Sequence, residues 1–186
     1  MPEREAKARI KINKLLEEAC LTDLDNYISS LKDYEIMQRC EMELEKVGVI
    51  QYFINPYNFQ VIYDSLASIR DIYLHNGLII DAIRIDLNIA DECFSLENYD
   101  GLNFKNQQCI EKMKVHVKLA DDRISNIKFN PSLHEFYLRL GRYNLVLHDE
   151  TKSKFYFNEF QNCKISENHY ANWLQRYYRV LRDHFA

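Results

Sequence analysis

The sequence predicts an all-α protein of about eight short antiparallel helices arranged as a compact bundle of helical hairpins. Its 186 residues include only four glycines and three prolines, too few turn formers for strands joined by tight loops. Pro2, Pro56 and Pro131 each stand where a helix would begin, a position at which a missing N–H and a pre-set φ are tolerated. Apolar side chains then recur three and four residues apart along most of the chain, the period of one helical face.

A first helix is expected over residues 2–20, with Glu3 and Glu5 near its positive end and Ala8, Ile12, Leu15, Leu16 and Ala19 on one face. Thr22 and Asp25 form a T-x-x-D capping pattern, followed by a stripe of Leu24, Tyr27, Ile28, Leu31 and Tyr34. A second stripe, Ile36, Cys40, Leu44 and Val47, runs to Gly48, so this second helix is one bent rod or two short ones. The apolar run Val49–Ile54 is read as irregular or helical, because no partner strand is visible. Asn55-Pro56 opens a third helix carrying Phe59, Ile62, Tyr63, Leu66, Ile69 and Tyr73 up to Gly77. The fourth follows at once with Ile83, Leu87, Ala90 and Phe94, and the short link predicts a hairpin with the third. Asn98–Asn103, with Asp100-Gly101 inside it, is the clearest loop.

Ile110, Met113, Val117, Ala120, Ile124 and Ile127 give the fifth helix the strictest three-and-four pattern. Asn130-Pro131 restarts the chain as a sixth helix with Leu133, Phe136, Tyr137, Leu140 and Leu147. Asp149 is read as the cap of a seventh and Ser166 as the cap of an eighth, which carries Tyr170, Trp173, Leu174, Tyr177, Leu181 and Phe185. One domain over residues 1–186 is expected, with the first helix peripheral.

Composition narrows function mainly by exclusion. A formal charge of −4 argues against broad attraction to nucleic acid or anionic lipid. Five cysteines, at 20, 40, 93, 109 and 163, form an odd set without a C-x-x-C pair, which reads as free thiols in a reducing cytoplasm. No apolar run approaches the ~20 residues of a membrane span. Neither a phosphate-binding glycine loop nor a G-x-S-x-G elbow is present, and the six histidines form no H-E-x-x-H or E-x-x-H pair. No cofactor and no metal is therefore expected. Acidic residues gather between Asp81 and Asp100, while Lys105, Lys112, Lys114 and Lys118 follow with Glu111 alone among them. The fourth and fifth helices are read as complementing each other's charge within one molecule, the alternative being that the acidic fourth helix is a partner-binding patch.

One segment carries a constellation with catalytic chemistry. Arg70-Asp71-Ile72-Tyr73-Leu74-His75, within residues 58–94, resembles the R-x4-6-H motif of the HEPN superfamily, all-helical domains that include metal-independent endoribonucleases of toxin and abortive-infection systems. The resemblance implies Arg70 and His75 as catalytic residues, with Asp71 supporting and Asp81 as the acidic residue beyond the helix end. It also implies RNA as substrate and a homodimer with paired motifs. Histidine exchanges protons near neutral pH while arginine holds phosphate charge. On a straight helix, a step of five residues separates the two side chains by ~140°, so convergence requires a frayed helix end or a second subunit. Arg142/His148 and Arg179/His184 also fall within the R-x4-6-H range.

Two further resemblances are local. Leu140-Gly141, Ser153 and Phe157, within residues 137–160, are similar to a single tetratricopeptide-like hairpin, and Gly141 is expected to mark a close helix–helix contact. Residues 2–19, PEREAKARIKINKLLEEA, resemble the opening helix of type I restriction motor subunits, which implies a prokaryotic defence or mobile-element setting. In the eighth helix, Trp173 and Tyr178 interleave with Arg176, Arg179 and Arg182, a pattern that fits core packing with snorkelling arginines and, alternatively, a candidate partner-binding surface for protein or single-stranded nucleic acid. The leading expectation is a non-catalytic, cytoplasmic protein-interaction module, and the alternative is a dimeric HEPN-like endoribonuclease.

Overall fold

A computed structural model describes residues 18–32, 35–53, 59–94, 99–100, 103–104 and 107–163. The protein is all-α, with seven α-helices among the described residues. These are α1 (residues 18–30), α2 (Ile36–Phe53), α3 (Phe59–His75), α4 (Ile79–Cys93), α5 (Gln107–Ile124), α6 (His134–Val146) and α7 (Glu150–Asn162). A short 3-10 turn, Pro131–Leu133, leads into α6. The expected loop over 98–103 includes a minimal antiparallel ladder, β1 (Tyr99–Asp100) with β2 (Asn103–Phe104), in which Tyr99 faces Phe104. Residues 2–17, Asn55-Pro56, Ser166 and the whole expected eighth helix, with Trp173, Arg176, Tyr178, Arg179 and Arg182, lie outside the described residues.

The chain divides into two compact units, residues 1–76 and 77–186. In the first, the expected second helix is two helices. Residues 18–30 run as one helix through Thr22, whose hydroxyl donates to the Glu18 carbonyl instead of capping. A threonine inside a helix finds that carbonyl four residues back, which removes the T-x-x-D pattern as a helix start. The end of α1 is tightened by Leu31 N–H on the Ile28 carbonyl and Ser30 Oγ on the Tyr27 carbonyl. Beyond the break, the Glu35 carboxylate accepts from the Lys32 backbone N–H at 2.8 Å. Gly48 does not stop α2, which continues through Phe53 and so makes Val49–Phe53 helical.

The core of this unit is a narrow seam of Ile28, Leu31, Cys40, Val47, Ile50, Ile62, Leu66, Ile69 and Tyr73. The last four lie on α3, where the stripe expected from spacing is the buried face. The helix closes as the sequence indicates. Gly77 adopts φ +73°, a left-handed conformation that only glycine reaches without strain.

The second unit is built around α4, which packs along α5 and also meets α6, while α6 packs along α7. Burial on α4 is much wider than its expected stripe. Ala82, Ile83, Ile85, Leu87, Ile89, Ala90 and Cys93 are all covered, and Asp86 is covered with them. A helix buried on so many sides is a central element rather than an edge one. On α6, Asn130 Oδ1 accepts from the Ser132 N–H and Pro131 sets the first turn, while Asp149 caps α7 by accepting from the Lys152 N–H. Gly141 marks the close contact anticipated from sequence. A Cβ there would lie 2.6 Å from the Phe157 ring, and Ser153 Oγ donates to the Gly141 carbonyl at 2.9 Å. Small residues on both helices let their backbones approach.

Candidate functional site

Three aspartates on α4 and α5 organise the polar chemistry of the second unit. Asp86, fully buried on α4, takes His116 Nδ1 at 2.7 Å on one oxygen and the Arg123 guanidinium on the other. Both partners come from α5, seven residues apart and therefore on one face. Asp91, one turn further along α4, joins the Arg139 guanidinium and the Tyr143 hydroxyl, both from α6, and Arg139 also donates to Asn88 Oδ1 at 2.9 Å. Asp121 on α5 receives the Lys152 ammonium and the Tyr156 hydroxyl, both from α7.

The ion pair joining α4 to α5 here is that of Asp86 with Arg123, and His116 adds a hydrogen bond to the same carboxylate. Among the expected lysines, Lys114 pairs within its own helix with Glu111 at 3.1 Å.

The ionisation of the surrounding groups follows from this packing. Burial pushes the Tyr143 phenol above its ordinary value, and the Asp91 carboxylate adds to the shift. Tyr156 is raised in the same way by burial and then by its hydrogen bond to Asp121. Burial alone would lower Arg139, but Tyr143 and Asp91 outweigh it and hold the guanidinium firmly charged. An Asp–His pair such as Asp86–His116 is an arrangement that orients an imidazole for proton transfer. Here the His116 side chain is only 1% exposed, so the pair is sealed from solvent and acts as a clamp between helices. Among the described residues, no group of three or more His, Cys, Asp or Glu side chains is placed to hold a metal ion.

The motif singled out from sequence sits at the end of the first unit. Arg70 donates from Nε and Nη2 to the carboxylate of neighbouring Asp71, at 2.9 and 2.7 Å, and its side chain is 16% exposed. His75 is exposed, as the last residue of α3. The helix stays regular there, with Asn76 N–H bonded to the Ile72 carbonyl at 3.1 Å. No fraying shortens the angular separation of ~140° between Arg70 and His75.

A feature absent from the sequence reading is an aromatic ladder on α6, α7 and the segment before α6. Phe129 stacks on Tyr137 with centroids 5.9 Å apart, Tyr137 on Tyr156 at 6.4 Å, and Tyr156 meets Phe155 edge-on at 5.1 Å. The two tyrosines are buried, whereas the terminal rings are open to solvent, Phe129 at 47% and Phe155 at 56%. Two signals were available in the sequence. Phe155 falls off the stripe shared by Tyr156, Phe157 and Phe160, and Phe129 stands just ahead of a helix-starting Asn-Pro.

These observations define an all-helical protein whose second unit is clamped by interhelical carboxylates and displays two anchored aromatic side chains. No family model, no curated protein and no solved structure matches the chain. Among the described residues, no helix is long and apolar enough to cross a membrane.

Proposed function

We propose that this chain is a non-catalytic helical interaction module that binds another protein through the second unit. The observation that carries the reading is the pair of exposed phenylalanines at the ends of a stacked ladder. Buried tyrosines restrict Phe129 and Phe155, so a partner would meet apolar rings whose ordering cost is already met. Aromatic side chains of this kind dominate the energetics of protein interfaces. The basic and aromatic residues Trp173, Arg176, Tyr178, Arg179 and Arg182 form a second candidate surface on sequence grounds. A cytoplasmic setting, in prokaryotic defence or mobile-element biology, fits the five unbridged cysteines and the restriction-like opening segment.

The exposure of His75 at a helix end supports a second reading, a metal-independent endoribonuclease using Arg70 and His75. Because α3 is regular through His75, that site needs a second copy of the chain to bring an arginine and a histidine to one phosphate. One pair of assays separates the readings. Affinity capture from the native host should recover a defined protein that the Phe129→Ser/Phe155→Ser double variant loses, with the fold of the variant checked by circular dichroism. Unchanged recovery would remove the aromatic pair from the interface. RNA cleavage by the purified chain without divalent metal, abolished in His75→Ala, would replace the interaction reading with the enzymatic one.

A further inference from the structure

Two cysteines lie toward one end of the α4–α5 seam, at the close of α4 and the opening of α5. Cys93 is the last residue of α4 and Cys109 the third of α5, and both side chains are fully buried on helices that pack against each other. The connection between them is drawn together by the β1–β2 ladder, with Tyr99 opposite Phe104, and β2 itself touches α5. Asp86 of α4 meets His116 of α5, and Cys93 stands seven residues after the one and Cys109 seven before the other, two turns along the same faces, so a chain that turns back through β1 and β2 brings the two thiols to one level of the seam. The electrostatics of Cys93 agree with this placement. Burial pushes the Cys93 thiol up to about 12, and Cys109 then acts on it more strongly than the carboxylate of adjacent Glu92. Burial also raises Cys109.

We propose that Cys93 and Cys109 are a redox-modifiable pair that closes to an intramolecular disulfide across the α4–α5 seam when the protein meets a hydroperoxide. One thiolate attacks the peroxide oxygen, becomes a sulfenic acid and releases water. The second sulfur then attacks the first and expels its hydroxyl as water. Two thiols and one hydrogen peroxide become one disulfide and two waters, the two electrons passing from sulfur to oxygen. Because the thiolate is the reactive form, burial makes the pair slow at neutral pH and faster as pH rises toward the thiol range.

The test uses the full chain carrying Cys20→Ser, which removes the exposed cysteine and with it cross-linking through that residue. After hydrogen peroxide treatment, thiols are trapped with maleimide in denaturant and peptides mapped without reduction. The expected result is loss of two of the remaining four thiols and a linked Cys93–Cys109 peptide. Closing a loop of this size should raise Tm by roughly 5–10 °C, reversibly with dithiothreitol. Cys109→Ala, apolar and small enough for a buried site, should abolish both the link and the shift. The proposal is overturned if both sulfurs remain alkylatable, if they advance to sulfinic acid unlinked, or if either bonds to another cysteine or another copy.

Discussion

The two units solve the same problem, holding short helices together, by different means. In residues 18–76, two side-chain pairs join α1 to α2 at the surface. Lys46 pairs with a half-exposed Asp25 at 2.6 Å, and Gln38 donates to the Tyr27 hydroxyl, also at 2.6 Å. In residues 77–163, Asp86 is completely covered and Asp121 is 13% exposed, and each joins two helices through two partners. The comparison teaches where charge carries structural information. A surface pair is screened and adds little. A buried carboxylate holding two specific donors penalises every register that separates them.

The largest test of this contrast is removal of one aspartate from each unit. Asp86→Ala leaves Arg123 and His116 without their anion and should cost about 3–5 kcal/mol in chemical denaturation. Asp25→Ala should cost about 1 kcal/mol or less. Equal losses would end the distinction. Replacing Asp86, His116 and Arg123 together by apolar residues of similar volume should restore much of the stability, because the penalty lies in the unpaired charge rather than in the missing pair.

Next in size is Gly141→Ala. The new methyl would strike the Phe157 ring, an overpacking cost of about 1–3 kcal/mol, against a helix-propensity gain of about 1 kcal/mol. A net loss of up to about 2 kcal/mol is expected in thermal melts, and Phe157→Leu in the same chain should relieve it. By contrast, Gly48 has open space around its Cα, so Gly48→Ala on α2 should be neutral or stabilising.

The smallest effect appears at high pH. Tyr143 and Tyr156 titrate above their ordinary value of 10.0 in the folded protein, so the unfolded chain loses these protons first. Their contribution is complete below pH ~10 and falls as pH rises through the folded values, by about 1.4 kcal/mol per tyrosine at pH 11. Tyr143→Phe or Tyr156→Phe should flatten the alkaline limb of the stability curve, read as a slope because each variant also loses a hydrogen bond at neutral pH. An unchanged slope would mean that these phenols titrate as freely as exposed ones.

Much of the local architecture was legible in the residues themselves. Gly77 ends α3, Asn130-Pro131 starts the turn into α6, and Asp149 caps α7, each through backbone geometry set by one or two neighbours. Gly141 announced a close contact because a glycine within a helix has to be offset by something nearby. Thr22 misled because a helix start and a mid-helix back-bond use the same hydroxyl, and only the turn before it distinguishes them. The polar site was hidden for another reason. Asp86, one of several acidic residues on α4, looks like a solvent-facing residue until its partners, 30 and 37 residues away, are brought to it. The exposed ends of the aromatic ladder depend likewise on which rings α6 and α7 cover.

The chain by itself determined that this protein is helical, where several of those helices begin and end, and which stripes turn inward, because periodicity, capping and glycine conformation act within a few residues. Tertiary structure alone decided that α4 would be enclosed, that three aspartates would become clamps, and that Phe129 and Phe155 would stay open to solvent. Burial and ion pairing depend on groups distant in sequence, and their energy exists only once packing has excluded the water between them.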